Sequence, residues 1–361
     1  MTDSVRSLQS DDAAGFGVVT VPAWAPQIAV SSDVSDHAAV KRFAEQIESG
    51  YTAPAIRFDE AQPLTVMGKH FAVISERAGL VRDSIHTIAT YKWHQAFALV
   101  RHVSLHIGEE DVALVAASSG SDNYFHWLAE TIGTALLHRT LFPGARIPLV
   151  LPTIIHQWQR QALDLFDIDN RIIEVGTNDA AVFDSAVMTN MSARDYGFFP
   201  HPAIVRQFSS QLPPHKVAPS GSDLVYLARL DAGGRRTMTN ETELCAALER
   251  RGFKILVPSR CSVAEQAGAL TAAKLVVAPH GAALGSLFFC GQGAAGPRVI
   301  ELQQEAYLSR NFAKLCQANS LDYSAVVSAQ TNRAEYHHNS AWHADIALIE
   351  RAVDGKLAEI A

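Results

Sequence analysis

Cysteine is scarce in this chain of 361 residues, and the four that occur lie in the second half without close spacing. Neither a disulfide framework nor a cysteine-rich zinc site is therefore indicated. We interpret all four as reduced core residues, because each lies in an apolar or helical context. They are Cys245, Cys261, Cys290 and Cys316.

Long hydrophobic runs are also missing, although hydrophobic residues make up 48% of the chain. No apolar stretch approaches the ~20 residues that span a bilayer, and the polar start "MTDSVRSLQSDDAAG" has no apolar segment like that of a signal peptide. We therefore expect no transmembrane segment and a cytoplasmic location, with peripheral association with the inner membrane left open. A chain of this length and composition more often forms two domains than one.

Positive charge is in short supply, with 30 Lys and Arg against 37 Asp and Glu and a net charge of -7. The basic residues are scattered, so no basic stripe is present to neutralise a nucleic-acid backbone, and we expect no nucleic-acid partner. A strand that leads into a GxGxxG segment is missing as well. This absence argues against a nucleotide-sugar epimerase or a similar dinucleotide-dependent enzyme.

Strands and helices alternate from about residue 111 onward. A strand at Asp111–Ala117 precedes a predicted helix from Tyr124 to about Leu141, and further strands and helices follow. Because a parallel neighbour needs a crossover connection, this alternation predicts parallel βαβ units. A second alternation begins after the proline-rich segment Gln211–Ser222, which we interpret as the linker.

The expected fold class is therefore α/β, with two Rossmann-like, doubly wound domains. The predicted ranges are an N-terminal domain at 1–213 with extra N-terminal strands, a C-terminal domain at 214–330, and a tail at 331–361 that packs back on the N-terminal domain. Ligands of such domains bind outside the carboxyl ends of the strands, where helix N-termini offer unpaired N–H groups. Two strand-to-helix junctions are thus the candidate sites.

The junction "LVVAPHGAALG" ends a buried-looking strand in Pro-His-Gly and leads directly into a predicted helix. His280, Gly281 and Ala282 lie where that helix begins and could contact a phosphate group. One such junction could also be ordinary punctuation, in which proline stops the strand and glycine permits the turn. The choice between these two interpretations therefore depends on the neighbouring residues.

Three arginines leave the end of the first strand of the same domain, so they project from the same edge of the sheet. Arg229, Arg235 and Arg236 suit a diphosphate, because guanidinium groups pair with phosphate oxygens in bidentate fashion. Glu301 ends the next strand on that edge and could accept hydrogen bonds from ribose hydroxyls. A solvated basic loop and a surface carboxylate are the alternatives.

The other junction, "AASSGSDNYFHW", carries Asn123, His126 and Glu130 at i, i+3 and i+7, which places them on one stripe of a helix. In one interpretation Asn123 is an N-cap and Glu130 an exposed carboxylate favoured by the helix dipole. In the other, His126 or Glu130 is a general base, with Asn123 and Trp127 shaping an acceptor site. The sequence leaves open which of the two would be the base, with a slight preference for Glu130.

Three segments together resemble glycosyltransferase family 61, over about 118–327. They are "NYFHWLAE", "YLARLDAGGRRTMTNETELCAALERRGF" and "AEQAGALTAAKLVVAPHGAALGSLFF" with "RVIEL". The family's Asn-x-x-His-x-x-x-acid pattern falls on Asn123, His126 and Glu130. Its arginine and His-Gly motifs fall on the three arginines, His280 and Gly281. One departure is the Gly-rich loop "CGQGAAGP", where the family usually has a shorter turn.

The resemblance implies a GT-B architecture, with the two domains facing each other across a cleft, and an inverting transfer from a nucleotide sugar without an essential metal. The implied partners are a nucleotide-diphosphate sugar, with a UDP-sugar expected, and a glycan acceptor in bacterial polysaccharide biosynthesis. No cofactor is expected. The alternative is a non-catalytic binder of nucleotides or sugars with the same fold. Retention of both His126 and Glu130 favours catalysis.

Overall fold

The structure is a computed structural model that describes most of the chain. The described residues are 5–7, 18–61, 63–68, 71–75, 79–81, 102–107, 112–118, 120–190, 200–218, 221–231, 234–291, 296–332 and 339–360. Much of the segment predicted to hold extra N-terminal strands, and residues 292–295 of the Gly-rich loop, lie outside them.

The chain divides into two compact units. The first unit comprises residues 1–19 and 53–211, and the second comprises residues 20–52 and 212–361. This division differs from the predicted domain ranges, because residues 20–52 belong with the second half of the chain. Among the described residues, no helix is long and apolar enough to cross a membrane.

Nineteen strands are present in the described part of the chain. They are β1 Val5–Ser7, β2 Val19–Val21, β3 Gln27–Val30, β4 Tyr51–Ala53, β5 Phe58–Ala61, β6 Leu64–Met67, β7 Ala72–Ser75, β8 Gly79–Leu80, β9 His102–Ile107, β10 Ala113–Val115, β11 Leu149–Pro152, β12 Ile172–Val175, β13 Asp179–Phe183, β14 Ala186–Thr189, β15 Leu224–Leu227, β16 Lys254–Leu256, β17 Leu275–Pro279, β18 Arg298–Gln304 and β19 Tyr323–Ser328.

Eight helices and three 3₁₀ segments accompany the strands within the described ranges. The helices are α1 His37–Glu48, α2 (Tyr124–His126, Trp127–Ile132 and Gly133–Leu141), α3 Gln157–Leu165, α4 Pro202–Gln211, α5 Glu241–Glu249, α6 Val263–Ala272, α7 Asn311–Asn319 and α8 Ile346–Ile360. The 3₁₀ segments are Pro214–Lys216, Pro258–Arg260 and Ala282–Phe289.

The first unit contains two mixed sheets. One has the order β1-β5-β14-β10-β11-β12, in which β14, β10, β11 and β12 run parallel while β5 is antiparallel to β14. The other has the order β8-β7-β6-β13-β9, in which only β13 and β9 pair in parallel. The parallel strands β10 and β11 are buried along their pairing, as expected for strands covered on both faces.

The second unit contains one fully parallel sheet with the order β16-β15-β17-β18-β19-β3. Its strands are Val-, Ile- and Leu-rich, which is typical of a parallel sheet between helical layers. The predicted α/β class with parallel, Rossmann-like sheets is therefore confirmed. The sheet also recruits β3 from near the start of the chain, with Val30 opposite Val327.

The C-terminal helix α8 corrects the expected position of the tail. Its buried residues Ile349 and Val353 belong to the same hydrophobic cluster as Tyr226, Leu244 and Val277 of the second unit. The apolar face of α8 packs next to α5 and the strands of that unit, including β3, so this part of the tail belongs to the second unit.

The starts of α6 and α5 use their N-cap side chains differently. Ser262 and Glu265 form a reciprocal cap of α6, with Ser262 N donating to Glu265 Oε2 at 2.7 Å. Asn240 stands at the N-cap position of α5, but its side chain bonds to both backbone groups of Ala344 at 2.9 Å. The amide of Asn240 therefore ties the segment before α8 to the second unit.

Gly268 provides a test of how α6 packs against Ala218. A Cβ added there would lie 1.7 Å from the carbonyl oxygen of Ala218, so Gly268→Ala should lower the free energy of unfolding by ~1–3 kcal/mol despite the better helix propensity of alanine. Gly355 in α8 is the matched control, because a Cβ there meets nothing within 4 Å. Gly355→Ala should raise stability by ~0.5–1 kcal/mol in urea unfolding. Equal effects of the two substitutions would contradict the packing of α6 on Ala218.

Candidate functional site

The first candidate site lies at the carboxyl ends of β10 and β11 in the first unit. After β10, the described residues 116–118 and 120–123 precede α2, which begins at Tyr124. Asn123 caps this helix, since its Oδ1 accepts a hydrogen bond from Phe125 N at 3.0 Å. The Asn123 side chain is exposed, so the capping role leaves its amide group at the surface.

The second turn of α2 is a π-helix at Trp127–Ile132. A π segment inserts an extra residue per turn, shifts the side chains that follow it, and occurs often at functional sites. Here all six residues of the π segment are buried, including the polar residues Glu130 and Thr131. The predicted helix from Tyr124 to Leu141 is confirmed, but this local widening has no signal in the amino-acid pattern.

Glu130 lies in the π segment with only 2% of its surface exposed. Its Oε1 is 2.9 Å from His126 Nδ1, and its Oε2 accepts a hydrogen bond from the Ser118 hydroxyl. A buried carboxylate without partners would be costly, so the Ser118–Glu130–His126 chain stabilises the position of all three groups. The alternative interpretation of Glu130 as an exposed surface charge is therefore wrong.

The loop that carries Ser118 is rigidly hydrogen-bonded. Ser118 Oγ accepts from Gly120 N at 3.1 Å, and Ser121 Oγ donates to Ser118 O at 2.8 Å. From α3, Gln159 Nε2 donates to Ser121 O at 2.8 Å. The segment after β10, held by Gln159 of α3, thus fixes the Glu130 carboxylate that contacts His126.

His126 is the more exposed member of the pair, with 19% of its side chain accessible against 2% for Glu130. Because a carboxylate only accepts hydrogen bonds, His126 Nδ1 carries the hydrogen that faces Glu130. The other ring nitrogen, Nε2, then holds the lone pair of the neutral ring. This arrangement orients a histidine for proton abstraction in the same way as a carboxylate does in a catalytic triad.

Trp127 occupies a different position from the one its predicted role in the acceptor site requires. The side chain is fully buried, and its Nε1 has no hydrogen-bond partner among the described residues. Trp127 contacts Trp158 of α3 edge to face, with ring centroids 6.3 Å apart. The tryptophan that reaches the surface beside α2 is therefore Trp158, which the sequence analysis missed because it lies on another helix.

The second candidate site lies at the carboxyl ends of β15, β17 and β18 in the second unit. His280 Nδ1 is 2.5 Å from Glu301 Oε1, and the Tyr323 hydroxyl donates to Glu301 Oε2 at 2.6 Å. Glu301 has no exposed surface. The structure therefore gives Glu301 the role of holding the His280 ring, in place of the predicted contact with ribose.

Arg229 supports the backbone of this site. Its Nη1 donates to His280 O at 2.6 Å, and its Nη2 donates to Arg235 O at 3.1 Å. A Cβ on Gly281 would lie 3.2 Å from Arg229 Nη1, so glycine leaves room for the arginine to pass. Ala282 begins a 3₁₀ segment of eight residues, where an α-helix was expected.

Arg236 differs from Arg229, since none of the described residues offers its guanidinium a backbone carbonyl as a hydrogen-bond partner. Its Nε is buried with no hydrogen-bond partner in the described part of the chain, and its Cζ lies 5.1 Å above the Tyr307 ring. The same Tyr307 ring packs beside His280, with centroids 5.4 Å apart. Arg235 is exposed. Among the three predicted arginines, Arg236 is thus the best placed to meet an anion near His280.

Arg229 and Arg236 both have lowered pKa values. Burial, together with the nearby Arg236 cation, lowers the pKa of Arg229 to about 10, and burial also lowers the pKa of Arg236. Two desolvated cations close together favour the binding of a negatively charged group, which would compensate both. Their edge of the sheet therefore has the electrostatic character of an anion site.

A cavity of about 350 Å³ opens beside these arginines, between the ends of β15 and β17 and the start of α5. Arg229, Arg236 and Glu241 line it together with the hydroxyl-bearing residues Thr239 and Thr242. Glu241 Oε1 accepts hydrogen bonds from Arg229 N at 2.6 Å and from the Tyr226 hydroxyl at 3.0 Å. The cavity thus combines cations with hydrogen-bonding groups, as a polar ligand site requires.

Comparison with known proteins assigns part of the chain to a family. Residues 124–296 match the sequence profile described as Glycosyltransferase 61, which covers His126, Glu130, the three arginines and the His280–Gly281 pair. Glu301 lies outside the matched range. No curated protein matches the chain. The chain therefore carries a glycosyltransferase family 61 domain, and this membership identifies it as a glycosyltransferase.

Proposed function

We propose that the protein is an inverting, metal-independent glycosyltransferase that moves a sugar from a nucleotide-diphosphate sugar to a saccharide acceptor. A UDP-sugar is the proposed donor, and bacterial polysaccharide synthesis is the proposed setting. The observation that carries the proposal is a histidine oriented by a buried carboxylate beyond the carboxyl end of a parallel strand in each unit. A GT-B architecture, with acceptor and donor on different units, would use both histidines.

His126 is the proposed general base, with Glu130 as its orienting carboxylate. Glu130 is 2% exposed and contacts Ser118 and His126, so it has little surface to offer an acceptor hydroxyl. The acceptor oxygen attacks the anomeric carbon, the bond from that carbon to the diphosphate oxygen breaks, and His126 Nε2 takes the hydroxyl proton. The Glu130 carboxylate stabilises the imidazolium that results.

The second unit is proposed to hold the departing nucleoside diphosphate. Negative charge grows on the diphosphate as the glycosidic bond breaks, and a preorganised cation stabilises it most in a desolvated site. Arg236 supplies this cation, while Arg229 fixes the backbone at Arg235 and His280. Arg235, Gly281 and Ala282 lie on the same edge and complete the proposed donor contacts. These groups take over the charge neutralisation that other enzymes obtain from a metal ion.

A comparison of His126→Ala with Glu130→Gln tests the assignment of the base. We expect His126→Ala to lower kcat by ~10²–10⁴-fold, because the proton has no acceptor, and added imidazole to restore part of it. Glu130→Gln should retain more activity, since His126 remains in place. The measurement is UDP release from UDP-glucose, UDP-galactose, UDP-xylose and UDP-N-acetylglucosamine.

The exposed His215 supplies the control, and His215→Ala should be as active as the natural chain and insensitive to imidazole. A Glu130→Gln variant as inactive as His126→Ala, without rescue by imidazole, would instead identify Glu130 as the base. Retained turnover in His126→Ala would remove the histidine from the mechanism.

Nucleotide binding tests the donor site. Titration calorimetry with UDP in the presence of EDTA should show binding, and Arg236→Ala should weaken it at least about tenfold because the loss of one charged pair costs ~1.5–3 kcal/mol. Arg250→Ala removes an exposed arginine of the same unit and should bind UDP like the natural chain. Binding that disappears in EDTA, or that Arg236→Ala leaves unchanged, would contradict the metal-independent site.

A further inference from the structure

Three half-buried ring side chains lie at the starts of α2 and α3 in the first unit, and α3 packs against the π segment that carries Glu130. Tyr124 belongs to the first turn of α2, while His156 and Trp158 stand at the start of α3. We call these three residues the aromatic surface. None of them was singled out by sequence motifs, and the proposed proton transfer makes no use of them.

The rings of the aromatic surface are arranged in a fixed stack. The His156 ring lies nearly parallel to the Trp158 ring, with an interplanar angle of 15° and centroids 5.1 Å apart. The Tyr124 ring contacts the Trp158 ring edge to face, with an interplanar angle of 81° and centroids 5.5 Å apart. The buried Trp127 also contacts Trp158 edge to face. Aromatic rings in stacked and edge-to-face contacts lose little mobility on binding a ligand, so the surface is preorganised.

Gln159 couples this surface to the loop that holds Glu130. Its Oε1 accepts from His156 N at 2.8 Å and from Ile155 N at 3.0 Å, while its Nε2 donates to Ser121 O at 2.8 Å. Gln159 is 1% exposed, so this small network is protected from water. The aromatic surface therefore keeps a defined position relative to the Ser118–Glu130–His126 chain.

Exposed groups of both polar and apolar character border the aromatic surface. Ile155 is 66% exposed and is one of three large hydrophobic side chains with this property in the described part of the chain. Asp122 and Asn123, on the loop before α2, are exposed polar residues next to Tyr124. Apolar faces with hydrogen-bonding groups at their rim match a pyranose ring, which has a C–H face and equatorial hydroxyl groups.

We propose that the aromatic surface is the acceptor subsite, where the C–H face of a pyranose ring of the acceptor glycan packs on the aromatic rings and its hydroxyl groups bond to Asp122 and Asn123. The inference rests on the proposed function, since it gives the substrate of His126 a binding position. A pyranose ring is favoured over a lipid chain because the surface is small, rigid and bordered by a carboxylate. Trp158 is thereby a binding residue, and Gln159 is a positioning residue.

Saturation-transfer NMR on the full chain tests the subsite without any donor. The probes are cellobiose, lactose, maltose and octyl β-glucoside. We expect at least one disaccharide to receive saturation at the protons of one ring face. Trp158→Ala should weaken its binding at least about fivefold, while Trp158→Phe should weaken it less, because an aromatic face remains.

Trp24→Ala provides the matched control, because Trp24 is a half-buried tryptophan of the second unit and should leave saccharide binding unchanged. His156→Ala removes the ring stacked on Trp158 and serves as a second variant if Trp158→Ala fails to fold. Absence of saturation in every disaccharide would overturn the proposal, as would transfer to the octyl chain alone, which would indicate a lipid site.

Calorimetry with UDP separates this proposal from the proposed function. Trp158→Ala and His156→Ala should bind UDP like the natural chain, because Arg236 lies in the other unit. Intact UDP binding without saccharide binding would overturn the acceptor subsite alone. If the natural chain itself bound no UDP, the proposed donor site would be refuted instead.

Discussion

Two buried carboxylates are the constraint on which the candidate sites depend. Glu130 and Glu301 are almost completely withdrawn from water, and each satisfies its two oxygens with one histidine and one hydroxyl group. A carboxylate in such a place demands its partners, so the loops and strands that bring Ser118 and Tyr323 into contact have little freedom. The positions of both histidines follow from this requirement and not from their own surroundings alone. In each candidate site, the buried carboxylate oxygens thus fix the position of the histidine ring.

The three neighbouring arginines show how similar residues can take different roles on one edge of a sheet. Arg229 donates hydrogen bonds to two backbone carbonyls, and Arg235 is exposed to solvent. The partly buried guanidinium of Arg236 lies above the Tyr307 ring. A fixed backbone next to a desolvated cation is a favourable combination for phosphate recognition, because the cation is preorganised before the ligand binds. Charge alone would not separate these roles.

Local sequence patterns could predict the junctions but not their internal contacts. Alternating strands and helices placed His126 and His280 at carboxyl edges, since parallel connections allow few other arrangements. The stripe of Asn123, His126 and Glu130 was visible in the spacing, whereas the burial of Glu130, the π-helical turn and the pairing of Glu301 with His280 depend on groups distant in sequence. Trp158 escaped detection for the same reason. The recruitment of residues 20–52 by the second unit likewise has no local signal, because pairing of β3 with β19 is a long-range contact.

The pairing of β3 with β19 also has a consequence for how the chain is made. Residues 27–30 are synthesised long before the strand beside them, Tyr323–Ser328. All residues of the first unit precede residue 212, whereas the second unit has an early segment, residues 20–52, that lacks its final neighbours until the later part of that unit is made. During that interval, the edge of β3 that pairs with β19 has no partner strand. The sheet of the second unit can therefore be completed only after β19 has been made, and the unpaired edge is open to non-native strand pairing until then.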